Sequence, residues 1–309
     1  MALRTTLARV AVAGVATLSL LAMAGCATPA AEPAAVEETT ASELPTPEFS
    51  QEIQDLFPAE VVEAGVIRAA AIPLPPYSYK DADGTTDIGI NWDTAAAIEA
   101  LTGLDVELEV APTQADIFTG FTSDRYDIGL SPLSNIPATQ QNYDFAVWVA
   151  EYVVFIQTKD ATVTVDSLES ACGATIATLK GGTAQTVLEN ASAKCADEPI
   201  DIALYADQDS AILAVKSGRA DAAFSSQIPL TYYANQDDYL VLSGANSTDN
   251  GFPPFWVGTY APKGSELIDP MLGVWNGLKE AGFYDALLTK YDIKGNAMDE
   301  FGINLAVAP

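Results

Sequence analysis

The chain has 309 residues, with 42 acids against 14 bases and no histidine. A formal charge of −28 excludes nucleic acid as a natural partner, because phosphates need a basic face, and would repel an anionic membrane surface. Without histidine the commonest general base and the commonest zinc ligand are missing, so no catalytic residue, metal site or cofactor is expected.

The first residues predict an export signal. Arg4 and Arg9 precede a mostly apolar run from Val10 to Leu21, and Ala22-Met23-Ala24-Gly25-Cys26 follows. Small residues before a cysteine are the cleavage pattern of a bacterial lipoprotein. Residues 1–25 are then the signal peptide, and Cys26 carries the lipid that anchors the exported chain to the outer face of the cell membrane. The apolar run is short for a spanning helix. Residues 26–58 are rich in Ala, Pro, Glu, Thr and Ser and predict a disordered tether.

From Val61 onward, short apolar strands alternate with amphipathic helices. "GVIRAAAI" predicts a strand, "DTAAAIEALTG" a helix ended by Gly103, "LDVELEVA" a strand, "QADIFTGFTSD" a helix and "YDIGLS" a strand. From Cys172 the logic repeats: "GATIATL" strand, "TAQTVLENASA" helix, "IDIALYA" strand, "DSAILAVKSG" helix, "ADAAFS" strand. The tail from Ile268 to Tyr291 is helical, with an interruption near Gly282. Such alternation means α/β units with mainly parallel sheets, and the length suits two of them. Cys172 and Cys195, an even pair in an oxidising compartment, predict a disulfide. "FTSDRYDIGLS" echoes "VKSGRADAAFSS": a helix end, an arginine, an aspartate, then a strand finishing on serine. Ligands of open α/β sheets bind beyond the carboxyl ends of the strands, which places Ser131 and Ser226 at the binding edges of two units.

Taken together, "PPYSYKDADGTTDIGINWD", "SDRYDIGLSPLS", "LKGGTAQ", "SGRADAAFSS" and the closing "APKGSEL…GLKEAGFYDALLTKY" resemble the solute receptors of ABC importers, solute-binding family 3, the amino-acid-binding class. The cysteines around "GATIATLKGG" resemble a disulfide-bearing branch of it. The resemblance implies a two-lobed, periplasmic-binding-protein-like α/β fold whose two mainly parallel sheets, with flanking helices, are joined by two hinge crossings. These are expected near Phe155–Lys159 and Asn250–Tyr260, with one lobe formed by residues 59–156 and 253–309 and the other by 157–252. A solute captured between the lobes would pass to a membrane permease.

The resemblance also implies a site, and the sequence departs from it. In amino-acid-binding members the loop after "YDIGLS" ends in an arginine that forks onto the ligand carboxylate. Here Ser131 and Ser134 take the hydroxyl positions, but Thr139 stands at the arginine's place, and Ser226 replaces the aspartate that meets the ligand ammonium. Leu74 and Ile90 stand where aromatic walls are usual, and Thr183 retains the hydroxyl at a helix start. Either ionic end of a free amino acid, taken from water without a partner, costs several kcal/mol. The expected cleft is therefore lined by Leu74, Ile90, Pro132 and Leu179, hydrogen-bonds through Ser131, Ser134, Thr139, Thr183 and Ser226, and takes a small neutral or cationic solute. Tyr77 and Trp92 are the aromatics expected nearest to it. Arg68, Arg125 and Arg219 are expected to be structural, Lys180 is the base that would replace the missing arginine, and Glu151 is expected at the surface. The rival readings are an ordinary amino-acid receptor with a rearranged loop, a dehydratase-like enzyme on the same fold, and a lipoprotein that binds no ligand.

Overall fold

The computed structural model describes residues 44–196, 198–244 and 255–306. The export signal, Cys26 and the tether up to residue 43 lie outside the described residues. Among those described, no helix is long and apolar enough to cross a membrane.

The expected tether ends earlier than Pro58. Ser50 caps a short helix, α1 (Gln51–Gln54), by accepting from the Ile53 amide, and its own amide donates to the Leu101 carbonyl at 2.8 Å. Leu44 and Ile53 pack on the core, and Phe57 is buried within it. Three apolar side chains within fourteen residues suffice to dock this segment, although its composition is rich in proline and acid.

α2 (Ala59–Ala64) ends at Gly65 in the left-handed region and leads into β1 (Val66–Ala71). A hairpin of β2 (Tyr79–Lys80) and β3 (Asp87–Ile88) is closed by the Lys80–Asp87 ion pair at 2.8 Å. α3 (Ile90–Thr102), β4 (Asp105–Val110), α4 (Gln114–Thr122, capped by Thr113) and β5 (Ile128–Gly129) complete the first alternation. β6 (Ser134–Asn135) and the long β7 (Tyr143–Glu151) follow, and β8 (Val153–Thr158) opens the second part. There β9 (Thr175–Leu179), α5 (Thr183–Ser192), β10 (Asp201–Tyr205), α6 (Gln208–Lys216, capped by Asp207) and β11 (Ala222–Ser226) repeat the alternation. α7 (Gln227–Gln236), β12 (Leu240–Ser243), β13 (Phe255–Pro262), α8 (Ile268–Glu280), α9 (Phe283–Lys290) and β14 (Gly302–Ile303) end the chain. The tail breaks where expected, at Gly282 with φ +75°.

The first sheet runs β14-β7-β13-β5-β1-β4, with β6 added to β13; the second runs β10-β9-β11-β8-β12. β1 is parallel to β4 and β5, and β9 to β10 and β11, while β13, β7 and β14 in one sheet and β8 and β12 in the other run antiparallel. Helices α3 and α8 cover one face of the first sheet around Trp148 and Trp275, whose stacked rings lie 4.3 Å apart. α4 covers the other face through Ile117 and Phe121. In the second sheet the Phe155 and Phe224 rings meet at 4.4 Å on one face, and α6 fills the other with Ala211, Ala214 and Val215. Cys172 and Cys195 form the expected disulfide, with Cα atoms 5.7 Å apart.

The first crossing lies earlier than expected. Phe155–Lys159 falls inside and just after β8, a strand of the second sheet, so the chain passes between the sheets at Tyr152. The run from Val147 to Ile156, apolar but for Glu151, conceals the change of sheet, because strands on both sides of it are buried. Of the second expected crossing, residues 250–254 lie outside the described residues, and Phe255–Tyr260 fall inside β13, a strand of the first sheet.

Candidate functional site

The carboxyl ends of β1, β5, β9 and β11 carry the residues singled out from sequence. After β1 the chain turns so that Leu74 bridges to Ser78, and Leu74 remains half-buried. Gly89, at φ +128°, lies so close to the Tyr77 and Pro76 carbonyls that a side chain would collide with them. This approach lets the first amides of α3 dock on the turn, Ile90 N donating to Pro76 O and Asn91 N to Tyr77 O, each at 2.9 Å. Docking drives Ile90 and Tyr77 into the core, where both are fully buried. Neither walls an accessible cleft, contrary to the expectation from their motif positions. The Tyr77 hydroxyl has no hydrogen-bond partner.

Trp92 sits on the outward side of the same helix start. With Pro73, Tyr79, Leu108 and Val110 it lines an open groove of about 490 Å³, rimmed by Lys80, Asp87 and Glu109. Its Nε1 is buried without a partner. The groove does not reach Ser131, Thr139 or Ser226, so the structure does not gather Trp92 with the serine edge.

In the loop after β5, Ser131 is 1% exposed and donates to Gln114 Oε1 at 3.1 Å, while Gln114 Nε2 donates to the Tyr260 hydroxyl at 2.5 Å. Pro132 and Ser134 are half-buried. Ser134 belongs to β6, opposite Val257. Thr139 opens a 3-10 turn, and its hydroxyl closes its own loop: it donates to the carbonyls of Ser134 (2.6 Å) and Ile136 (3.0 Å) and accepts from the Ile136 amide (3.1 Å). The Thr139 hydroxyl is thus bonded within its own loop, and the residue remains half-buried.

The second edge holds Leu179, half-buried, then exposed Lys180 and Gly181 at φ +79°. Thr183 opens α5; its side chain lies outside the described residues. Ser226 is the N-cap of α7, and its side chain makes no capping bond. The true counterpart of Ser131 is Ser225, one residue earlier, which donates to Gln208 Oε1 at 2.8 Å. Sequence reading missed both glutamines. Each is the first residue of a helix, and its meaning appears only when the serine seventeen residues later folds against it.

The arginines are placed as expected. Arg68 holds Asp127, Arg125 holds Glu109, and Arg219 donates to Ser217 at 3.0 Å. Glu151 corrects the sequence reading: it is buried, not exposed, at the passage between the sheets. Burial raises its carboxyl to about 8, against the lowering effect of the amides it accepts. Among the described residues no group of histidine, cysteine, aspartate or glutamate has the arrangement of a metal site.

Residues 67–294 match the model for bacterial extracellular solute-binding proteins, family 3. The arginine-binding protein ArgT of Corynebacterium glutamicum is 29% identical over 266 residues, 84% of this chain and 84% of its own. A mutant of ArgBP from T. maritima superposes with a TM-score of 0.63 at 20% identity, over 78% of this chain and 99% of that one. An ancestral cationic amino acid solute-binding protein gives a TM-score of 0.63 at 24% identity, over 75% and 97% of the two chains. At these identities the structures establish the shared two-lobed fold.

Proposed function

We propose, from the premise that the chain belongs to the bacterial extracellular solute-binding proteins of family 3, that it captures a small neutral or cationic solute between its two sheets and delivers it unchanged to a membrane permease. Lipid on Cys26 would hold it at the outer face of the membrane, with the segment up to residue 43 as the leash. One observation carries the ligand class: each described arginine is bonded to a near neighbour, and the loop position where a carboxylate-binding arginine would stand is Thr139, closed on its own loop. A ligand carboxylate drawn into such a cleft would lack a partner. The acid excess of the chain favours cations further.

A second reading, arginine itself, draws on the binding named for ArgT. On that reading exposed Lys180, beside the second edge, supplies the carboxylate's partner. Thermal unfolding with agmatine, which is arginine without its carboxylate, with arginine, and with a small neutral cyclic amide separates the two. A solute at 100 times its dissociation constant adds about 2.7 kcal/mol. Agmatine or the amide is expected to raise the melting temperature while arginine does not. A response to arginine that Lys180→Ala removes would establish the second reading, and conversion of any of these compounds would overturn the receptor reading altogether.

A further inference from the structure

At its first passage between the two sheets the chain spends a single residue: β7 ends at Glu151 and β8 begins at Val153. The Glu151 side chain is 1% exposed. Its Oε1 accepts from the Tyr152 amide at 3.1 Å and from the Ile228 amide at 3.2 Å, and Ile228 lies in the first turn of α7. One carboxyl thus ties the last residue of the first sheet to a helix of the second.

Neutral hydrogen bonds surround this tie. Gln227 N donates to Tyr152 O at 2.8 Å, Gln227 Nε2 donates to Asn296 Oδ1 at 3.1 Å, and Asn296 Nδ2 donates to Ala150 O at 2.8 Å. Glu151, Gln227, Ile228 and Asn296 are all buried. Farther along α7 the contacts with the first part are more open. Tyr79 and Tyr232 rings lie 5.1 Å apart, and Asn235 donates to Asp292 at 3.2 Å in an exposed position. The start of α7 is thus pinned at the junction through Glu151, while its far end is accessible to water.

The groups facing the carboxyl are few. The turn before β2 brings the Tyr77 hydroxyl, which faces it without a close hydrogen bond. The chain beyond β7 brings Tyr152 through its amide, and the first turn of α7 brings amides and no acid or base. The C-terminal segment brings the neutral Asn296. Among the described residues no ion pair includes Glu151. We propose that Glu151 is a proton-controlled pivot: with its proton the junction stays shut around it, and without it the junction opens so that water reaches the carboxylate.

The sign follows from where the proton is held. The shut form keeps it up to about pH 8, whereas a hydrated carboxyl releases it near its ordinary 4.5. Between those values the ratio of open to shut rises by up to tenfold per pH unit; above the higher value it levels off.

Small-angle scattering from the full chain, with no solute added, tests this between pH 5 and 9.5. The radius of gyration of the wild type is expected to grow up to about pH 8 and then level, while Glu151→Gln stays compact throughout. In chain labelled with carboxyl-13C glutamate, one resonance is expected to titrate near 8, and Glu151→Gln should lack it. Equal expansion of both proteins, or no glutamate titrating above pH 6, would overturn the pivot. If Glu151→Gln does not fold, Glu151→Met serves as the second variant, and the wild-type titration and scattering decide alone. Because no solute enters, the outcome is independent of the ligand class proposed above.

Discussion

The parallel cores of the two sheets are built on one plan, and their serine edges part at the hydrogen bond made by a glutamine amide. In the first, β1-α3-β4-α4-β5 gives the order β5-β1-β4; in the second, β9-α5-β10-α6-β11 gives β11-β9-β10. Asp127 accepts the Arg68 amide at 2.8 Å and Asp221 accepts the Thr175 amide at 2.8 Å, each locking the start of its parallel pair. Ser131 then donates to Gln114, as Ser225 does to Gln208. The partners diverge on the neighbouring antiparallel strand. Tyr260 faces Gly129, two residues before Ser131, and Ile156 faces Ala223, two residues before Ser225. The Tyr260 hydroxyl accepts from Gln114 Nε2, whereas Gln208 Nε2 is buried with no acceptor. The shared frame is therefore set by main chain and aspartate. Chemical completeness at each edge depends on one residue of an antiparallel strand.

The largest effect should come from forcing the first half to copy the second. A Cβ at Gly129 would overlap the Tyr260 ring, which is fully buried. Gly129→Ala should cost about 3 kcal/mol in urea unfolding, at the upper end of overpacking. Adding Tyr260→Ile should recover part of that loss, since Ala and Ile already face each other in the second sheet; a double variant as unstable as the sum of its singles would break the equivalence. Tyr260→Phe should cost less, about 1 kcal/mol, because it keeps the ring but leaves a half-buried Gln114 N–H without its acceptor. No loss of stability would mean that Gln114 has another acceptor.

Much of this frame was legible beforehand. The alternation located both parallel cores, and the Arg-x-Asp echo located their turns. Features that depend on distant partners were not legible. Ile53 and Leu56 dock where α8 has Gly277 and Gly273, positions at which a side chain would meet them, and the composition of a proline-rich segment says nothing about glycines in a remote helix. Ile90 and Tyr77 matched a binding motif, but Gly89 folds both beneath the turn. Glu151 does carry a signal in the sequence: an acid inside "VWVAEYVVFI" has apolar residues on both sides, and the strands on either side of half-buried Tyr152 are buried there.

The smallest predicted effect tests the comparison at its finest point. Gln208→Met removes the unpaired Nε2 but also takes from Ser225 its acceptor, two changes of opposite sign that should leave stability within about 1 kcal/mol of the wild type. Gln114→Met has no such offset, because it strips partners from both Ser131 and Tyr260. It should therefore lose about 2 kcal/mol in the same urea measurement. Equal losses at the two glutamines would mean that Gln208 Nε2 is satisfied in solution by ordered water. The two edges would then be chemically alike despite Ile156, and the difference between the halves would lie only in which atom supplies the acceptor.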